Sequence, residues 1–269
     1  MFYHKKVETS LYLKKSRTTK TLLYKPKTEN QAKYVDFLDN YCSKIVISTG
    51  PAGCGKTLFA CQKAISDLTT NNINKIIITR PVVCVDEEIG FLPGNIIKKM
   101  DPWTRPIFDI FLEHYSRTEL DLMLNNGVIE ICPLAFMRGR TFKNSFIIAD
   151  EMQNSSPNQM KMLTTRLGDN SRMVITGDLN QTDILKENGL NDFVNRFKLW
   201  NETNEIIQFI QMNSSDVERS EIVKTVINIY DNNNLNNNNN LNNDNDAALI
   251  PINHLSNNYY DVFTDESYF

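Results

Sequence analysis

The residues Gly50-Pro51-Ala52-Gly53-Cys54-Gly55-Lys56-Thr57 fit the pattern G-x-x-x-x-G-K-[ST] at every position. In such a loop the glycines let backbone amides turn inward around a β-phosphate, and the helix that follows adds its partial positive charge. Lys56 then bridges the β- and γ-phosphates, while the Thr57 hydroxyl ligates magnesium. Further on, Phe146-Ile147-Ile148-Ala149-Asp150-Glu151 is an apolar run that closes on two carboxylates. Asp150 suits a magnesium ion held through water. Glu151, pointing the other way, suits a base that takes a proton from an attacking water. A base at that place favours hydrolysis over transfer to a substrate hydroxyl. A third run, Val174-Ile175-Thr176, ends at Gly177-Asp178 and is followed by Gln181. A neutral amide there can sit at the γ-phosphate and report its presence, and Asn180 competes for the same role. Gly177 permits a sharp exit from the run, and Asp178 can fix the turn by hydrogen bonds.

For these groups to meet, the runs that carry them must lie side by side. Short apolar runs bounded by turn signals recur at Ile45–Ser48, Ile76–Thr79, Val128–Ile131, Phe146–Ala149, Met173–Thr176 and Ile206–Met212, and they read as buried strands. Between them, helical spacing covers Thr57–Leu68, Ile96–Met100 with Ile107–Leu124, and Asn158–Leu167. Ser156 and Pro157 introduce the last of these as cap and first-turn residue. Such alternation predicts an α/β fold, a mostly parallel sheet with helices on both faces. Ligands of such sheets bind beyond the carboxyl ends of the strands, which is where the three motifs fall.

Composition narrows the function classes. The formal charge of -3 gives no overall basic excess, although Lys5, Lys6, Lys14, Lys15, Arg17, Lys20, Lys25 and Lys27 make the first residues a basic arm with Glu8 as its acid. The five cysteines, Cys42, Cys54, Cys61, Cys84 and Cys132, include no close pair, which speaks against a disulfide framework or a zinc site. His4, His114 and His254 are far apart and have no metal-ligand neighbour at helical spacing. Met1–Ser10 has no apolar stretch of a leader peptide, and no run approaches the roughly 18 apolar residues of a membrane span. An intracellular, cytoplasmic chain without a membrane partner is expected. From 231 to 246 the sequence is almost entirely asparagine and reads as a disordered linker to an aromatic tail.

Together the motifs resemble the PhoH-like ATPase family, itself similar to the first motor domain of superfamily 1 helicases. The resemblance spans Pro26 to Tyr230. Its carriers are Lys27-Thr28 with Gln31, the phosphate loop, Thr79-Arg80-Pro81-Val82 through Gly90-Phe91-Leu92-Pro93-Gly94, Pro133 to Thr141, Asp150-Glu151-Met152-Gln153-Asn154, and Thr176-Gly177-Asp178 with Gln181. The resemblance implies a RecA-like P-loop NTPase domain in which another strand separates the phosphate-loop strand from the acidic one. It also implies that Gln31 reads adenine, that ATP and Mg2+ are the cofactors, and that the chain forms a homo-oligomeric ring, a hexamer being one candidate size. RNA or single-stranded nucleic acid is the implied partner. A lone motor domain needs a cation from a neighbour, because arginine fingers stabilise charge on the transferring phosphoryl group. Arg166 and Arg219 are the candidates. Arg138 and Arg140 are alternatives for that role or for nucleic-acid contact, and Arg80, Glu88, Phe91, Trp103 and Arg105 lie where helicase relatives grip a single strand. The expected organisation is a basic arm (1–25), an ATPase domain (26–230), the asparagine-rich linker (231–246) and a tail (247–269). The leading reading is ATP hydrolysis coupled to action on nucleic acid. The alternative is a nucleotide-dependent protein-remodelling switch or scaffold; a small-molecule kinase is disfavoured by Glu151 and by the lack of an arginine-bearing lid.

Overall fold

A computed structural model describes residues 24–81, 101–181, 188–200, 205–218, 222–223 and 225–226. Six strands, β1 (Ile45–Thr49), β2 (Lys75–Thr79), β3 (Ile129–Ile131), β4 (Ser145–Ala149), β5 (Arg172–Gly177) and β6 (Ile207–Gln211), form one sheet in the order β3-β2-β4-β5-β1-β6. Every pairing is parallel, and each of the six expected runs became a strand. β5 lies between β1 and β4, so the phosphate-loop strand and the acidic strand are next-nearest neighbours, as the family resemblance implied.

Alternate side chains of each strand feed two cores. Val46, Ile76, Ile78, Phe146, Ile148, Val174 and Ile210 face one side. There they meet α1 (Glu29–Asp39), α2 (Lys56–Thr69), α3 (Asp101–Leu112) and α4 (Arg117–Asn125) through residues such as Tyr34, Phe59, Phe111 and Leu120. Ile47, Ile77, Ile147, Ala149, Met173 and Ile175 face the other side, against Met160 and Leu163 of α5 (Pro157–Thr164) and Leu190 and Val194 of α6 (Gly189–Leu199). A sheet covered on both faces has apolar residues at consecutive positions, which is why its strands read as continuous runs.

Local chemistry fixes the helix starts. Ser116 with Glu119 opens α4, and Ser156 with Gln159 opens α5, each as a reciprocal capping box, with Pro157 in the first turn of α5. Asn188 accepts from the Leu190 and Asn191 N–H groups to open α6. The expected helix from Ile107 to Leu124 is two helices, because Ser116 caps a new one. Ile96–Met100 lies outside the described residues. α1 and α6 were not anticipated.

At the amino edge of the sheet Arg172, only 5 % exposed, ties α1 to the strands. Its guanidinium donates to the carbonyls of Ser43 (3.1 Å), Asn40 (3.0 Å) and Phe37 (3.4 Å), satisfying carbonyls at and after the end of α1. Asp67, 1 % exposed, faces it at 3.6 Å and also accepts from the Tyr41 hydroxyl at 3.0 Å.

The chain divides into two compact units, 1–218 with the sheet and 219–269. The division falls inside the segment 26–230 expected to be one domain. Of the second unit Ile222, Val223, Thr225 and Val226 are described, and they are helical; the asparagine-rich linker and the tail lie outside the described residues. No helix among the described residues is long and apolar enough to cross a membrane, and no His/Cys/Asp/Glu cluster among them could hold a metal.

Removing one partner of a buried ion pair strands the other in a low-dielectric interior. Asp67→Ala should therefore lower the unfolding free energy by about 3 kcal/mol in urea titration. Asp169→Ala, which breaks the exposed Lys143–Asp169 pair, should cost less than about 1 kcal/mol.

Candidate nucleotide site

The phosphate loop leaves β1 at Gly50 and enters α2 at Lys56. α2 begins differently from α4, α5 and α6: its N-cap is Gly55, at φ 89, and no side chain caps it. Its first N–H groups are thereby left for an anion. Gly50 is required twice over, since its φ is 144 and a Cβ there would stand 2.6 Å from the Met212 carbonyl oxygen. Lys56 Nζ donates to the carbonyls of Gly50 (2.6 Å) and Pro51 (2.8 Å), which holds the ammonium across the mouth of the loop. Cys54 is fully buried, with its thiol on the Pro51 carbonyl at 3.0 Å. Burial pushes that thiol up, against the opposing pull of Lys56, so it packs as an inert small side chain. Pro51 is half-buried, while Ala52 and Gly53 are exposed at the loop's crest.

Asp150 leaves the end of β4 and meets the loop. Its Oδ1 accepts from the Thr57 hydroxyl at 2.8 Å and from the Thr176 hydroxyl of β5 at 2.5 Å. A hydroxyl and a carboxylate brought this close form a hard-oxygen pair of the kind magnesium takes, with water and phosphate oxygens completing its shell. The donor set of Thr57 and Asp150 fits that ion.

Glu151 follows in the left-handed region at φ 53. This conformation turns its carboxylate away from Asp150 and onto Gln153, whose Nε2 donates to Glu151 Oε2 at 2.6 Å. The other end of the same amide, Gln153 Oε1, accepts the Asp178 N–H at 3.1 Å. One side chain thus joins the acidic turn to the turn after β5. Gly177 makes room for it, since a Cβ there would stand 2.7 Å from Gln153 Oε1. Asp178 fixes that turn through the Asn180 N–H (3.0 Å), and Gln181 is exposed on it.

Gln31 lies beside the loop, 2 % exposed, at the start of α1. Its Nε2 donates to the Asp216 carbonyl at 3.1 Å and the Cys54 carbonyl at 3.5 Å, and its Oε1 accepts the Lys27 N–H at 2.8 Å. The segment after β6 completes this corner. Asp216, 1 % exposed, accepts from the Thr28 hydroxyl (2.5 Å), Asn30 Nδ2 (2.9 Å) and the Asn213 N–H (2.8 Å), and the Glu218 N–H donates to the Gly53 carbonyl at 3.1 Å. Burial pushes the Asp216 carboxyl up, but these three donors outweigh it and hold it below its ordinary value.

The arginines behave differently from one another. Arg166 follows α5, whose far end lies at the amino edge of the sheet, away from the loop in its own chain. Its guanidinium donates to Met162 O, Arg140 O and Thr165 Oγ1 at 3.1–3.3 Å. Arg140 is paired with Glu130 at 2.5 Å and stacked 4.5 Å over the Phe142 ring. Arg138 is exposed, beside Phe136, which is 54 % exposed, at the carboxyl edge after β3. Arg80 is half-buried directly after β2, Trp103 is half-buried and Arg105 exposed on α3; Glu88, Phe91 and Arg219 lie outside the described residues. Sequence reasoning quoted Gln153 and Thr176 within motifs without giving them a role. Nothing in the sequence around Asp216 gives it a role. Polar residues at strand ends beside an acidic pair were the available signal for the first two.

The family model for PhoH-like proteins matches residues 24–231. The chain belongs to the PhoH-like family. It is 41% identical over 217 residues to a PhoH-like protein of Mycobacterium tuberculosis, covering 80% of this chain and 59% of that one. A PhoH-like protein of Bacillus subtilis is 40% identical over 208 residues (77% and 64%), and Protein PhoH of Escherichia coli is 36% identical over 219 residues (80% and 60%). The PhoH-like chain thus spans about three fifths of the length of these relatives. Among solved structures, the helicase domain of Pyrococcus furiosus Hef is similar at a TM-score of 0.35 and 14% identity, over 68% of this chain and 38% of that one, a likeness too loose to bear an argument. Family, phosphate loop and parallel sheet together make this a nucleotide-binding P-loop protein.

Gln153→Met keeps volume but removes both hydrogen bonds, leaving the buried Asp178 N–H without its Gln153 acceptor. It should lower the unfolding free energy by about 1–3 kcal/mol in chemical denaturation. Asp216 has a folded pKa below its unfolded one, so its contribution is complete above the ordinary aspartate range of about 3.9 and is lost as pH falls through the folded value. Acid titration of Asp216→Asn should accordingly show a shallower loss of stability than the parent chain.

Proposed function

We propose that this PhoH-like chain binds ATP with magnesium and hydrolyses it to ADP and phosphate. The observation that carries the reading is the division of labour between adjacent carboxylates: Asp150 is tied to Thr57 at 2.8 Å, and Glu151 is turned aside and held by Gln153 at 2.6 Å. Lys56 gives up its loop carbonyls for the β- and γ-phosphate oxygens and neutralises their charge. Thr57 and Asp150 would hold the magnesium, which would supply charge neutralisation. Glu151 accepts a proton from water as the water oxygen bonds to the γ-phosphorus. The β,γ-bridging P–O bond breaks, and its electrons leave with ADP. Gln153 keeps the base aimed and links it to the turn bearing Gln181, whose proposed role is to sense the γ-phosphate. Gln31, beside the loop, reads the base.

The proposal extends to coupling with RNA or single-stranded nucleic acid, in a homo-oligomeric ring. Support for the first comes from the exposed Phe136 and Arg138 at the ligand edge, an aromatic ring and a cation of the kind that stack on bases and track phosphates. Support for the second comes from Arg166, on the sheet edge away from its own loop and therefore suited to a neighbour's.

Glu151→Gln should retain ATP affinity while phosphate release falls by about 10²–10⁴-fold, whereas Lys56→Ala should lose ATP binding. Phosphate release by the parent chain should rise with single-stranded RNA, and the rise should vanish in Glu151→Gln. Turnover indifferent to RNA would instead favour the protein-remodelling reading.

A further inference from the structure

The three partners of the Gln31 amide leave it one orientation. Lys27 N–H can only donate, and the carbonyls of Asp216 and Cys54 can only accept. Turning the amide over would set its oxygen against two carbonyl oxygens and its NH2 against an N–H. Both amide hydrogens are therefore spent on the backbone, and Oε1, with one of its two lone pairs taken by Lys27, keeps one free acceptor site. A base edge read by this amide must supply a donor. On the edge formed by N7 and position 6, the 6-amino group of adenine does, whereas a 6-keto purine presents only acceptors.

What holds the Asp216 carbonyl in place is its own carboxylate. It gathers Thr28 Oγ1, Asn30 Nδ2 and the Asn213 N–H at 2.5–2.9 Å, so the turn preceding α1 and the turn after β6 close on one another. The same turn reaches the phosphate loop through Glu218 N–H to Gly53 O at 3.1 Å.

We infer that Asp216 is a specificity-positioning residue: by pinning the turn whose carbonyl takes one of the Gln31 amide hydrogens, it makes the site select a purine carrying a 6-amino group over one carrying a 6-keto group. This rests on the reading of the site as an ATP site with Gln31 at the base. The Asp216 side chain takes its hydrogen bonds from Thr28, Asn30 and Asn213, outside the phosphate loop, and it acts through Gln31.

The test is equilibrium binding of ATP and of inosine triphosphate, which replaces the 6-amino group by a keto oxygen, to the full chain with magnesium. The parent chain should prefer ATP by about tenfold, the worth of one buried hydrogen bond. Asp216→Asn places an NH2 among three donors and frees the turn, so the ratio should fall towards one. Asn30→Ala, a milder change, should lower the ratio part-way with folding intact. A variant that merely disturbs the fold weakens both nucleotides alike and leaves the ratio unchanged, and that outcome in both variants overturns the inference. So does a parent chain that binds the two nucleotides equally. A parent chain that binds neither overturns the ATP reading itself.

Discussion

A loop that is to hold a polyanion on its backbone amides must leave those amides without partners of their own. It therefore cannot be held in shape by the usual internal hydrogen bonds or by a side-chain cap on the helix it opens. Beyond the Lys56 ammonium and the Cys54 thiol on the loop's own carbonyls, support comes from outside. The Met212 carbonyl packs on Gly50, Gly50 N–H donates to the Gly177 carbonyl at 3.1 Å, and Glu218 N–H donates to the Gly53 carbonyl. The flanking strands β5 and β6 thus supply both the walls of the sheet and the outer scaffold of the loop. That is possible because all strands run parallel and end on one edge, so the exits of β5 and β6, the neighbours of β1, lie beside the phosphate loop. The same arrangement brings Thr176 to Asp150 and Gln153 to Asp178.

The opposite edge has the complementary task. Arg172 fastens the far end of α1, while the near end of α1 carries Gln31 at the loop. A helix held at one end by a buried guanidinium and at the other by the turn around Asp216 cannot tilt without disturbing the corner around Gln31. Such anchoring is needed because Gln31 stands on a separate element from the phosphate loop, and the two must keep their spacing when charge enters the site.

Much of this architecture was legible in the residues themselves. A buried parallel strand is apolar at consecutive positions, so β1, β2, β4 and β5 announce themselves, and the phosphate loop and the Asp150-Glu151 pair declare the site because their chemistry tolerates few substitutes. α1 and α6 were missed because they bury few apolar residues: α1 contributes Tyr34 and Leu38 with the polar Gln31, and α6 contributes Leu190 and Val194 beside Gly189. Ser116 was legible as a cap only once the break between α3 and α4 was known. The roles of Gln153 and Asp216 were invisible for a different reason. Each depends on a partner brought from a distant part of the chain, Asp178 for the one and Thr28 for the other, and neither pairing leaves a periodic mark.

The backbone at Glu151 stands at φ 53, where a side chain crowds its own peptide and costs about 1–3 kcal/mol. Glycine would relieve that cost and would also delete the carboxylate. With Glu151 as the proposed base, the position is one where sequence drift towards greater stability and retention of chemistry pull in opposite directions. A chain selected for heat resistance alone would be expected to give up this glutamate early, while one selected for turnover keeps the strained residue and recovers its cost from the two apolar cores.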